Sequence, residues 1–161
     1  MIDAGLCREH LAELLREEIQ LLTQLEDLLQ EERDVIASSD LKRLQRSTDQ
    51  RQERMAALAR IEAQRDSLCS LHGKPAGVGA LQGLLSWCDP RATLGTLVRE
   101  SRERALRCRQ FNDRNGAMVR ARLRRIGERL QALRGGSPAA TTYGPRGALA
   151  RAHAARVLGS V

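Results

Sequence analysis

Between Leu11 and Ile36 the apolar residues fall in pairs seven apart, Leu14-Leu15, Leu21-Leu22, Leu28-Leu29 and Val35-Ile36, with Leu11 and Leu25 between them. A sevenfold repeat keeps one stripe turned toward its partners when helices coil gently about each other in the left-handed sense. The spacing predicts a first helix over about residues 6–37. No glycine lies between Leu6 and His72, and no proline precedes Pro75. At Ala37-Ser38-Ser39-Asp40 capping side chains gather, and a second periodic run follows through Leu41, Leu44, Thr48, Met55, Leu58, Ile61, Leu68 and Leu71. That run predicts a helix over about 40–72, and so short a connection turns the pair into an antiparallel hairpin.

Gly73-Lys74-Pro75-Ala76-Gly77-Val78-Gly79 reads as a loop, and Leu81, Leu84, Leu85 and Trp87 as a short helix over 80–88. The longest run then extends from Pro90 to Arg134. Its seam alternates steps of four and three: Leu94, Val98, Ser101, Ala105, Cys108, Asn112, Asn115, Val119, Arg122, Ile126, Arg129 and Leu133. Asp89-Pro90 offers an N-cap followed by proline at the first helical position, while Gly95 leaves open a start one turn later. Gly135-Gly136-Ser137-Pro138 ends the run. The expected fold is all-α, an elongated antiparallel bundle of three long coiled-coil helices over residues 1–136, with a short connecting helix. Residues 137–161 have too few apolar side chains for a core and read as a mobile tail. Within it Leu149, Ala152, Val157 and Leu158 would line one weak helix in the presence of a partner.

Composition agrees with long helices: of 161 residues only Trp87, Phe111 and Tyr143 are aromatic. The amino terminus carries no basic stretch followed by an apolar one, and no apolar run approaches the ~20 residues of a membrane span. Cys7, Cys69, Cys88 and Cys108 are irregularly spaced, as reduced structural thiols are. A soluble cytoplasmic protein without membrane insertion is expected. The formal charge of +7 is unevenly divided: residues 1–36 carry three Arg against ten acids, and residues 90–134 thirteen Arg against four. An acidic helix beside a basic one answers much of the charge internally and selects neighbours more than it stabilises. That pairing, with few aromatic stacking platforms, argues against nucleic acid as the partner.

Catalytic machinery is not found in the sequence. Gly73-Lys74-Pro75 lacks the rest of a phosphate loop. Cys69, His72 and Cys88 give three zinc-ligand types, where a structural site takes four at tighter spacing. The three histidines, His10, His72 and His153, lie near no recognisable nucleophile motif. The expectation is no catalysis, no cofactor and no metal. More informative are Asn112 and Asn115, which stand where the seam wants apolar residues, and Gly116, which costs about 1 kcal/mol in a helix interior relative to Ala. They read either as a polar layer fixing register, with the glycine permitting close helix approach, or as a bared patch accepting a partner helix.

Several of these features occur together in order: the leucine-rich acidic first helix, Ser39-Asp40-Leu41-x-x-Leu44, Cys108-x-x-x-Asn112-x-x-Asn115-Gly116, and Tyr143-Gly144-x-x-Gly147. In this the chain resembles the FlgN family of flagellar type III export chaperones over nearly its whole length. The resemblance implies a non-catalytic cytoplasmic bundle that binds hook-filament junction proteins, prevents their premature assembly and escorts them to the export gate. By position Asn112, Asn115 and Gly116 match the family's long-helix signature, which implies client binding there, and Tyr143 matches its tail tyrosine, which implies a gate contact. The tail departs in its many Ala and Arg, and Leu149, Ala152, Val157 and Leu158 are expected as client contacts from their amphipathic spacing. The competing reading is a structural coiled-coil adaptor or homodimer with no export role.

Overall fold

The computed structural model describes residues 3–73 and 79–135, which form four helices. They are α1 (Ala4–Ser38), α2 (Leu41–Leu71), α3 (Ala80–Cys88) and α4 (Gly95–Leu133). No strand occurs among the described residues, and the chain is all-α. It divides into two units, residues 1–121 and 122–161. α4 belongs to the first unit up to Ala121 and to the second from Arg122 onward.

Short polar side chains set the helix ends. The Asp3 carboxylate accepts from the Gly5 N–H at 3.0 Å and opens α1. Ser39, in the left-handed region at φ 67°, turns the chain, and Asp40 caps α2 by accepting from the Arg43 N–H at 3.0 Å. These two residues form the entire connection between α1 and α2. The start of α4 differs from the Asp89-Pro90 reading, because the carboxylate of Asp89 is spent elsewhere. One of its oxygens accepts from the Thr93 N–H (2.9 Å) and hydroxyl (2.6 Å), the other from the Leu94 N–H at 2.7 Å. Asp89, itself buried, thereby ties down the exposed turn of residues 90–93, and α4 begins at Gly95. Burial alone would raise its pKa, but these hydrogen bonds outweigh it and hold the carboxyl below its ordinary value.

In the first unit α1 is antiparallel to α2 and parallel to α4. Glu18 meets Arg65 of α2 and Ser101 of α4, and Glu32 meets Arg51 of α2 and Asn115 of α4. The two layers are equivalent: on every helix the second member lies fourteen residues, two heptads, from the first. Between them Leu22, Leu25, Leu29 and Cys108 form an apolar cluster, with Leu58 and Phe111 packed against it. Below the first layer a larger cluster joins Cys7, Leu11, Leu15, Ile61, Leu68, Leu84 and Val98. α3 contributes Leu84 and Cys88 and closes that end, burying one apolar stripe in about two turns.

The polar layers put charge on the buried side of α1 and correct one expectation for α2. The acids of α1 are not all on a solvated face: Glu32 is 3% exposed and Glu18 is half-buried. On α2 the stripe runs Ser47, Arg51, Arg54, Leu58, Ile61, Arg65 and Leu68, all buried or half-buried, while the expected Leu41, Met55 and Leu71 are exposed. Arginine can occupy such positions because its long apolar stem packs while the guanidinium reaches the edge of the seam. Further pairs link Glu26 to Arg107 at 3.0 Å and Arg104 at 3.6 Å, so the acidic helix is answered by α4 as the charge division implied.

Candidate partner-binding groove

The α4 seam is buried only in part. Leu94, Val98, Ser101, Cys108 and Asn115 face the interior, but Ala105, Asn112 and Val119, in the same four-three series, are exposed. This places three clefts in succession along the face that α2 and α4 present above α1. The first, about 540 Å³, includes Glu18, Arg65, Ser101 and Ala105. The next, about 370 Å³, is floored by Leu22, Leu25 and Leu29 and walled by Met55, Leu58 and Ala105. The last, about 470 Å³, has Glu32 and Asn115 at its base and Ile36, Leu44, Gly116 and Val119 on its sides. The middle cleft of this groove is the most apolar, and the two that flank it contain the Glu18 and Glu32 layers.

Its upper cleft contains the most constrained polar chemistry of the unit. Asn115, 2% exposed, donates through Nδ2 to the Leu29 carbonyl at 2.8 Å and to the Glu32 carboxylate at 3.1 Å. Arg51 Nη1 lies 3.3 Å from the same Glu32 oxygen and 3.4 Å from Asn112 Oδ1. The Oδ1 atom of Asn115 is buried and has no hydrogen-bond partner among the described residues. An unsatisfied buried acceptor costs about 1–3 kcal/mol. A donor entering the cleft from a partner would remove that cost.

Gly116 lines the same cleft, but the close helix approach expected of it is not observed. A Cβ built there would meet only the Arg120 guanidinium, with Nη1 at 3.3 Å. The helix-interior cost of glycine is thus unmatched by packing inside the first unit, and the α4 surface beside Asn112 is left low. Asn112, Asn115 and Gly116 are brought together. Tyr143, Leu149, Ala152, Val157 and Leu158 lie outside the described residues. Glu32 and Arg51, which complete the cleft, were missed by sequence reasoning, although their heptad positions were a readable signal.

At the opposite end of the unit, Cys7, Cys69 and Cys88 share one core cluster. Burial first, then the neighbouring thiols of Cys88 and Cys69, push Cys7 up to about 12. Burial likewise raises Cys69 and Cys88. These are protonated packing groups, poor nucleophiles and poor ligands. His72 stacks on Trp87 with ring centroids 4.4 Å apart. No group of three His, Cys, Asp or Glu among the described residues is placed to hold a metal. No helix among them is long and apolar enough to cross a membrane.

No curated protein and no solved structure matches the chain. A family model does, that of the FlgN protein, and it spans residues 7–151, taking in the leucine-paired α1, both polar layers and the whole groove. The chain belongs to the FlgN family.

Proposed function

We propose that this protein is a cytoplasmic flagellar export chaperone. It binds hook-filament junction proteins, keeps their terminal helices from assembling and delivers them to the type III export gate, with no catalytic step. Family membership supports the flagellar chaperone role. The observation that carries the mode of binding is the run of three clefts above α1, an apolar one flanked by two that contain the polar layers. From the Glu18 layer to the Glu32 layer is fourteen residues, or about 21 Å of helix. A client helix laid there would set apolar side chains over Leu22, Leu25 and Leu29 and hydrogen-bond donors over each layer, a helix-in-groove interaction.

In this reading Asn112 and Gly116 touch the client, Asn115 presents its free oxygen from below, and Met55 and Ala105 form the apolar walls. Leu149, Ala152, Val157 and Leu158, by their amphipathic spacing, add a second client contact, and Tyr143 adds the contact to the gate on the family resemblance. The test is calorimetric titration with a peptide of a client's terminal helix. Met55→Glu with Ala105→Glu, both at exposed wall positions, should weaken binding at least tenfold, on the order of 1.4 kcal/mol, without lowering the melting temperature. Undiminished affinity would remove the groove from the proposal. Recovery of a stoichiometric appendage subunit in a pull-down separates this reading from that of a structural adaptor.

A further inference from the structure

The two units divide the charge of the chain completely. Residues 1–121 contain nineteen basic and nineteen acidic side chains; residues 122–161 contain eight Arg and only Glu128 against them. The entire net charge of +7 therefore resides in the second unit. Its described portion is the end of α4, and there Leu123, Ile126, Leu130 and Leu133 are all exposed, from 47% to 83%. At helical spacing these four fall within an arc of about 80°, with Arg129 on one border and Arg134 on the other, and Arg124 and Arg125 about 120–140° from its centre on the polar face. All four of these arginines are exposed.

We propose that residues 122–134 form a basic amphipathic face that adsorbs to an anionic phospholipid surface. The apolar stripe sinks into the headgroup boundary while the bordering guanidiniums, on flexible stems, reach the lipid phosphates. Charge decides the occupant. The rest of the chain beyond this helix is itself basic, with Arg146, Arg151 and Arg156 and no acid, so it is the wrong sign to cover the stripe. A second copy of the face would set arginine against arginine. A nucleic acid would answer the charge but leave four large apolar side chains in water. An anionic bilayer answers both.

The experiment is co-sedimentation of the full-length protein with vesicles of phosphatidylglycerol and phosphatidylcholine, or of phosphatidylcholine alone, at ~0.1 M salt. Binding is expected to the first and not to the second, and to fall steeply as salt rises. Each arginine near the surface contributes about fivefold, so Arg129→Gln and Arg134→Gln together should weaken binding about 25-fold. Leu123→Asn with Leu130→Asn should lose at least tenfold while the charge is unchanged. Both sets change exposed positions, and far-ultraviolet circular dichroism confirms that the helices remain. Equal binding to neutral vesicles, or full vesicle binding by the arginine variant, overturns the proposal. So does a leucine variant that keeps its vesicle affinity but loses binding to an acidic amphipathic peptide, since the stripe would then serve a protein partner.

Discussion

The two polar layers allow the same substitution to be made twice in one protein with different expected costs. Arg51→Met removes the 3.3 Å bridge to Glu32, whose side chain is 4% exposed and whose remaining partner is the Asn115 amide. Breaking a fully buried pair costs about 3–5 kcal/mol, because a charge stays in a dry site without its partner. Arg51 is itself about one-third exposed (32%), so water reaches that side and about 2–3 kcal/mol is expected. Arg65→Met leaves Glu18, which is 16% exposed and still accepts from the Ser101 hydroxyl at 2.9 Å. Its expected cost is about 1 kcal/mol. Urea unfolding followed by circular dichroism measures both, and the corresponding falls in Tm are about 6–10 °C and 2–4 °C. Adding Glu32→Gln to Arg51→Met should restore much of the loss, since the stranded charge is gone. Equal costs in the two layers, or no rescue by the double change, would refute the claim that desolvation of Glu32 dominates its layer.

Gly116→Ala should stabilise the protein by up to about 1 kcal/mol through helix propensity, because only the movable Arg120 guanidinium opposes the new methyl. In calorimetry it should weaken client binding, and a destabilised variant would mean that the glycine supports packing inside the first unit. Asp89 has its pKa held below the unfolded value, so its stabilisation is present above the unfolded pKa and disappears as pH falls through the folded one. Asp89→Ala should cost about 1–2 kcal/mol at pH 7 and flatten the acid limb of a stability curve. Raised thiol pKa values, about 12 at Cys7 and about 11 at Cys108, predict that iodoacetamide at pH 8 labels the thiols only as fast as the protein unfolds. The same protonated thiols favour the folded state at neutral pH, an advantage lost as pH rises beyond the unfolded value near 9.

How much of this could be read from the sequence depended on whether a seam position was apolar. The leucine pairs of α1 predicted its length and buried side, and Ser39-Asp40 its turn into α2. Ala80–Cys88 was legible from four large apolar residues between glycine and aspartate. The stripe of α2 was displaced because three of its positions are arginines, which a hydropathy pattern assigns to solvent. Glu18 and Glu32 were hidden for the same reason, and their burial depends on partners 47 and 19 residues away. Asn112, Asn115 and Gly116 stood out as irregularities, but the sequence could not say that the first would be exposed and the second buried. That distinction comes from their partners: Asn115 reaches the Leu29 carbonyl and Glu32 of α1, whereas Asn112 accepts from Arg51 at the exposed edge. Asp89 capped a loop instead of a helix because Thr93 and Leu94 could reach it through a turn that includes Ala92 at φ 55°.

The connection of only Ser39 and Asp40 has a consequence for the order of assembly. α1 and α2 are neighbours along the chain and can zip together by closing very short loops, whereas five described hydrogen bonds between α1 and α4 span 81 to 86 residues. Closing the longer loop carries the larger entropic cost and delays those contacts. The hairpin is then a foldon that forms first, and α4 is the last element to dock and the first to lift away. Hydrogen exchange should show this as slow amides along Leu11–Leu29 and faster ones from Val98 to Asn115. A helix that opens at less than the cost of global unfolding gives the groove a route to admit and release a long segment without melting the scaffold beneath it.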